Sequence, residues 1–385
     1  MPSAGDVRAW RAEFPITERS IYLNNCSLTP LPRRGAAALA EYTRTWTELG
    51  GRAWYQHWVG ELDLLRADFA RLLGADVDEV ALEPAVSAAL VTIASSFDYS
   101  TRNKVVVADI DFPTDGHTWL ALANAGVEVE FVHSPDGATV PLELFERAVD
   151  ERTALVCTGH VYYTSGYIQD VRALAEICHR RGAALVVDAY QSIGAFAFDV
   201  HASEVDFLVG GTLKWLMGGP GMAFLYARRD RIPAAKPSAL GWWAMRDPFT
   251  FDVQHIDLSP TARRFEYGTP AVAAAYTARA GIALLEEVGV DTVRERHMAL
   301  SQRLVDGALA QGWRLGCVRD AERRTPIVTL RHPDPSAVVD ALRAKGCIAD
   351  FRPGLVRLSP HYFNTEDEMD ATLELLVPLR ETVPA

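Results

Sequence analysis

The sequence predicts an α/β protein with a large domain on a mostly parallel sheet and a small C-terminal α+β domain. Two observations carry that expectation. Before Pro270, short apolar runs of strand length alternate with amphipathic stretches of helix length, as repeated βαβ units do. After Pro270 the alternation restarts on a smaller scale.

Residues 1–30 are rich in Pro, Asn and Ser and read as a segment packed over the active site, belonging with the small domain. Buried strands are expected at Lys104–Asp109, Val127–Val132, Ala154–Thr158, Ala184–Asp188, Asp206–Gly210 and Met222–Tyr226. Helical patterns lie between several of them, at Pro141–Val149 and Val171–Arg181. These elements place the large domain at 31–270, with its regular alternation beginning near residue 60. An alanine-rich helix, Ala271–Val288, follows, and then a charged helix to about residue 311. The small domain, 271–385, closes with a strand at Pro326–Leu330, a helix at Pro335–Ala344, a strand at Val356–Ser359 and a helix at Glu366–Pro378.

Composition narrows the function. With 385 residues, 49% hydrophobic and 23% charged, the chain has the length and balance for a large core and two domains. A net charge of -12 argues against nucleic acid or an anionic membrane as the main partner, while leaving room for a local basic pocket. No apolar run approaches the ~20 residues that span a bilayer. The start, Met1–Asp6, does not read as a signal peptide, so a cytoplasmic location is expected. Cys26, Cys157, Cys178, Cys317 and Cys347 are scattered and form no CxxC pair, so neither a disulfide framework nor a metal site is expected.

Lys214 stands between two glycine clusters, Gly210-Gly211 and Gly218-Gly219-Pro220-Gly221, beside Leu213, Trp215 and Leu216. Desolvation lowers an amine's pKa and makes it a nucleophile able to form a Schiff base with an aldehyde, pyridoxal phosphate being the commonest. By itself the window fits a snorkelling lysine equally well. Asp188 ends the strand Leu185-Val186-Val187, at the carboxyl edge where α/β sheets bind ligands. A carboxylate there suits a cofactor's ring nitrogen, and it suits an N-cap too. Phe112 follows another strand and could stack on a planar ring or belong to the core. Pro84–Leu90 puts small residues and Ser87 at a helix start, which reads either as a phosphate cradle or as a plain N-cap. Arg357 alternates with Val356 and Leu358, and its guanidinium can hold a carboxylate bidentately or sit on a strand surface.

Taken together, and in this order, these segments resemble the class V aminotransferase superfamily of fold-type I pyridoxal-phosphate enzymes. That group includes cysteine desulfurases, kynureninases and isopenicillin-N epimerases. The resemblance runs from Ile21-Tyr22-Leu23-Asn24-Asn25 to Tyr362-Phe363-Asn364-Thr365-Glu366. It implies pyridoxal 5'-phosphate as cofactor, Lys214 as Schiff-base lysine and Asp188 as partner of the pyridine nitrogen. It implies Gln191 at the phenolic oxygen, Ala189 under the ring, Phe112 stacked on it, and Val86 with Ser87 at the phosphate. Thr269, in Glu266-Tyr267-Gly268-Thr269-Pro270, would reach the phosphate of a neighbouring subunit, which implies a homodimer with shared sites. Arg357 would grip the carboxylate of an amino-acid substrate, and Asn24, Asn25 and Ser27 would lie over that substrate.

The departures bear on specificity. Desulfurases need a nucleophilic cysteine on a loop before the final strand. Here the loop is shortened and Cys347 precedes the strand, so it reads as a core cysteine and persulfide chemistry is not expected. Leu213 replaces the Tyr or His that kynureninases or desulfurases carry before the lysine. Tyr163 falls where relatives often have Asn near the phenolic oxygen. The expected chemistry starts with a carbanion at the substrate's Cα, with Lys214 as base. Transamination and kynureninase-like Cβ-bond cleavage are the favoured outcomes. Racemisation or epimerisation, or a non-catalytic relative, is the alternative. Trp54, Tyr55, His57, Trp58, Trp242 and Trp243 read as helix packing and dimer interface, or as a pocket wall for a bulky side chain.

Overall fold

The computed structural model describes residues 7–380. The start read as carrying no signal peptide, Met1–Asp6, lies outside the described residues. Twelve strands form three sheets among the described residues. β1 (Ile21–Tyr22) comes first. The large sheet contains β2 (Val80–Glu83), β3 (Lys104–Ala108), β4 (Glu128–Val132), β5 (Thr153–Gly159), β6 (Ala184–Asp188), β7 (Phe207–Gly211) and β8 (Ala223–Ala227). The C-terminal part supplies β9 (Val328–Arg331), β10 (Cys347–Ile348), β11 (Asp350–Arg352) and β12 (Leu355–Leu358).

The large sheet runs in the order β2-β8-β7-β6-β5-β3-β4. From β7 to β4 every pairing is parallel, whereas β8 is antiparallel to both β7 and β2. The glycine-rich loop after β7 contains no crossover helix, so the chain can return only as an antiparallel neighbour. Side chains alternate between two cores, one on each face. Val106 and Ala108 join one, and Val105 and Val107 the other. Leu185 and Val187 likewise face away from Val186. Burial on both faces explains why these strands read as unbroken apolar runs.

The strands expected from sequence lie within a residue or two of those observed. β2, which is short and ends at Glu83-Pro84, was not anticipated, and neither were the long helices Arg33–Leu49 and Val59–Leu73. The alanine-rich helix is Val272–Val288, and Gly289, at φ +84°, separates it from Val290–Ala310. β11, β12 and β9 form an antiparallel sheet against the helices Pro335–Ala344 and Glu366–Leu376. The N-terminal segment joins that part of the molecule. β1 pairs in parallel with β10, and Asn24 bridges Ser359. No helix among the described residues is long and apolar enough to cross a membrane.

Candidate active site

Because β3, β5, β6 and β7 run parallel, their carboxyl ends share one edge of the sheet. The turns leaving that edge enclose a cavity of about 390 Å³. Nine of the residues expected to form the site line it: Lys214, Asp188, Phe112, Val86, Ser87, Tyr163, Gln191, Ser27 and Arg357.

The loop carrying Lys214 is fixed at its base. The Gly218 N–H donates to the Thr212 carbonyl at 2.8 Å, and the Thr212 hydroxyl donates to the Gly219 carbonyl at 2.8 Å. The loop backbone lies directly on the helix Val272–Val288 at Gly281, where a Cβ would collide with the Leu216 carbonyl oxygen. Lys214 Nζ then stands 4.2 Å from the centroid of the Tyr190 ring and 5.9 Å from that of Phe112. Burial lowers the pKa of this amine from 10.5 to about 8, although the negative charge of Asp188 opposes the shift.

Asp188 ends β6 beside Gly159 of β5 and Val209 of β7. Its Oδ1 accepts the Tyr190 N–H at 2.8 Å. Burial raises its pKa, while the Tyr190 amide and the Lys214 charge pull the other way. Gln191 is held from both ends of its amide. Its Nε2 donates to the Cys26 carbonyl at 2.9 Å, and its Oε1 accepts the Trp215 indole N–H at 3.0 Å. Behind Trp215 lies the buried pair His297 and His361, 3.2 Å apart, so His361 is a structural histidine.

At the other end of the cavity, Ser87 lies at the start of the helix Val86–Ala94 and Thr114 near the start of Pro113–Leu120. Their hydroxyls are 3.4 Å apart. The amides of Ala88 and Ala89 turn back to Ala85, whereas those of Val86 and Ser87 precede the helix's first internal bonds. Phe112 meets Tyr163 edge to face, with centroids 5.3 Å apart. The Tyr163 carbonyl accepts from Arg357 at 3.0 Å.

Four expected residues do not line the cavity. Ala189 is fully buried next to Asp188. Asn25 is buried too, and its Nδ2 donates to the Ser359 carbonyl at 2.8 Å, so it clips the N-terminal segment to the chain after β12. The Asn24 carbonyl caps the turn made by Ser27 and Leu28. Thr269 is exposed on the surface. Cys347 is fully buried in β10, 3.8 Å from the Thr372 hydroxyl, as a core cysteine. None of the tryptophans lines the cavity. Trp58 packs inside and donates to the Thr45 hydroxyl at 3.1 Å, while Trp242 stacks on the exposed Phe251.

Sequence reasoning passed over other lining residues. Asp111 caps the ends of β3 and β5 by accepting the N–H groups of Ala108 and Gly159 at 2.9 and 2.7 Å, and burial pushes its pKa up to about 7. Asp115 is fully buried, and neither of its carboxyl oxygens accepts a hydrogen bond. Burial, reinforced by Asp188 and Asp111, raises its pKa well above the usual carboxylate range. Both acids flank Phe112 in the sequence, which was the available signal. Arg352 also lines the cavity, on a hairpin that had been read as a loop.

The family model for aminotransferase class-V matches residues 21–351. The chain belongs to the class-V aminotransferase family. It is 36% identical over 94% of its length to an uncharacterized aminotransferase, YcbU, of Bacillus subtilis, which it covers to 94%. It is 33% identical over 93% of its length to a kynureninase of Deinococcus radiodurans, covering 89% of that protein. A cysteine desulfurase from Thermococcus onnurineus superposes with a TM-score of 0.88 at 24% identity, covering 98% of each chain, which establishes the fold-type I architecture. This class-V chain is a pyridoxal-phosphate-dependent enzyme. Its residues fit that cofactor. A nucleophilic amine and a carboxylate follow adjacent strand ends, the half-exposed Phe112 ring lines the same cavity, and two hydroxyls meet at helix N-termini.

Proposed function

We propose that this enzyme acts at the Cα of an α-amino acid, by transamination or by cleavage of a bond at Cβ. The observation that carries the reading is one cavity holding a lysine with its pKa lowered to about 8 beside a buried aspartate at the neighbouring strand end. Pyridoxal phosphate bound there supplies an aldehyde for an amine and an electron-withdrawing ring that acidifies Cα. Lys214 would hold the cofactor covalently, and its amine, placed in the cavity, would serve as the base that takes the Cα proton on Nζ. Asp188 would keep the ring nitrogen protonated. Phe112 would cover one face of the ring, and Ala189, buried behind the cavity wall, would back the other from there. Gln191, its amide fixed by Trp215 and Cys26, has an Nε2 proton left for the phenolic oxygen, where Tyr163 stands nearby. Val86 and Ser87 would bind the phosphate, and Arg357 would orient the substrate carboxylate. Ser27 lies over the substrate, with Asn24 and Asn25 holding that segment in place.

The same reading includes a homodimer in the cytoplasm, with Thr269 donated to the neighbouring site. Thr269 is exposed and does not line its own chain's cavity, and Phe251, Val253 and Ile256 leave an apolar surface exposed nearby in sequence. The reading also divides the chain into 1–30, 31–270 and 271–385, and the pairing of β1 with β10 supports grouping the N-terminal segment with the C-terminal elements. The relatives support each outcome in turn, YcbU the aminotransferase and the kynureninases the Cβ lyase. The deciding experiment incubates loaded enzyme with single amino acids. Keto-acid formation dependent on an acceptor marks transamination, an acceptor-independent cleavage product marks the lyase, and loss of optical purity alone marks epimerisation. Borohydride reduction followed by peptide mass spectrometry should leave the cofactor on Lys214, and attachment elsewhere or nowhere refutes the assignment.

A further inference from the structure

β11 and β12 form a tight hairpin across Pro353-Gly354, with Gly354 at φ +73°. Asp350 lies directly opposite Arg357, and Arg352 opposite Leu355. Strand alternation therefore places Asp350 and Arg352 on the same face of the hairpin, and Phe351 on the other.

One carboxylate oxygen ties the three charges together. Asp350 Oδ2 accepts from Arg357 at 2.6 Å and from Arg352 at 2.9 Å. Burial pushes the Asp350 carboxyl up, but the two guanidiniums outweigh it and hold the group below the ordinary carboxylate range. Arg357 is fully buried, and its Nε has no hydrogen-bond partner. Arg352 lies beside the Tyr163 ring, 5.9 Å from its centroid, and its guanidinium retains N–H groups beyond those given to Asp350 and the Phe351 carbonyl. Both arginines line the cavity.

The charges leave one net positive at this end of the cavity, from two guanidiniums and one carboxylate. A single substrate carboxylate neutralises it. A second would find no cation, because Lys214 would be committed to the cofactor and the ionisable carboxyl groups lining the cavity, those of Asp111, Asp115 and Asp188, carry no positive charge. The aromatic rings of Tyr163 and Phe112 border the same space.

Resting on the amino-acid reading given above, we propose that Arg352 is a second substrate-carboxylate ligand beside Arg357. Asp350 is the residue that positions both guanidiniums. The site therefore takes amino acids with one carboxylate and an uncharged side chain.

The test titrates L-alanine and L-aspartate into cofactor-loaded protein, followed by the visible absorbance of the cofactor. Wild type should bind L-alanine more tightly. Arg352→Gln should weaken L-alanine binding about ten-fold or more while the visible band of the free enzyme is retained, and Arg352→Lys should fall between the two. Asp350→Asn, which leaves two net positive charges, should shift the preference toward L-aspartate by about ten-fold. Unchanged L-alanine affinity in Arg352→Gln overturns the role of Arg352, and tighter L-aspartate binding by wild type overturns the single-carboxylate rule. Absence of the visible band from all the proteins sinks the assignment of Lys214 instead. Phenylglyoxal labelling, which needs no cofactor, then decides the clamp. L-alanine should protect Arg352, whose side chain is accessible whereas that of Arg357 is buried, and equal labelling of Arg352 with and without L-alanine refutes it.

Discussion

Removing the Asp188 carboxylate should make Lys214 a better nucleophile while destroying the enzyme. Burial costs the Lys214 ammonium enough to bring its pKa from 10.5 to about 8, a differential of about 3 kcal/mol at roughly 1.4 kcal/mol per pH unit. At pH 7 about one amine in ten is then neutral, against well under one in a thousand for an ordinary lysine. Asp188 is the largest influence holding this pKa up. In Asp188→Asn the Tyr190 N–H keeps an acceptor, the negative charge is gone, and the Lys214 pKa falls below about 8. The assay is acylation of cofactor-free protein by a small amine reagent, with Lys214 quantified by peptide mass spectrometry across pH. Only the neutral amine reacts, so the rate should rise with pH and level off above about 8 in wild type, and above a lower pH in Asp188→Asn. Turnover of the loaded variant should nevertheless collapse, because nothing keeps the ring nitrogen protonated. A wild-type midpoint near 10.5, or a midpoint that moves upward in Asp188→Asn, would refute the reasoning.

Three other outcomes are expected. Arg66 and Glu266 form an ion pair of 2.8 Å with both side chains buried, so Arg66→Met should strand a carboxylate and cost about 3–5 kcal/mol, read as a lower urea midpoint. Gly281→Ala should drive the Lys214 loop off its helix and abolish cofactor retention, with far-UV circular dichroism largely preserved. On the proposed homodimer, mixing inactive Lys214→Ala with Thr269→Ala protein under exchange conditions should restore activity, because the lysine-bearing site of a mixed dimer would receive its threonine from the other subunit, and no restoration would place Thr269 in its own chain's site.

Where chemistry follows periodicity, the sequence was informative. The runs around Val105, Val156 and Val186 are apolar on both faces because both faces are covered, and their ends carry Phe112 and Asp188 to one edge. β2 escaped notice because a four-residue strand ending in Glu-Pro has too little pattern to distinguish it. The hairpin of β11 and β12 was read as a shortened loop, because its charged residues alternate with too few apolar ones. Asp350 could be tied to Arg357 only once register was known, since a slip of one residue would put the acid on the opposite face. Asp115 belongs to no periodic signal at all. It is buried by the fold of its surroundings, which no local window contains.

The parallel pair between Ile21–Tyr22 and Cys347–Ile348 joins residues near opposite ends of the chain. During synthesis the strands that carry Phe112, Asp188 and Lys214 leave the ribosome long before Cys347 does. The sheet edge for the cofactor is thus assembled first. The segment bearing Cys26 and Ser27, and the arginine hairpin after Cys347, can take their places only after Cys347 has been made. A newborn chain can accordingly meet its cofactor on an open face, before the wall carrying Ser27, Arg352 and Arg357 closes over it.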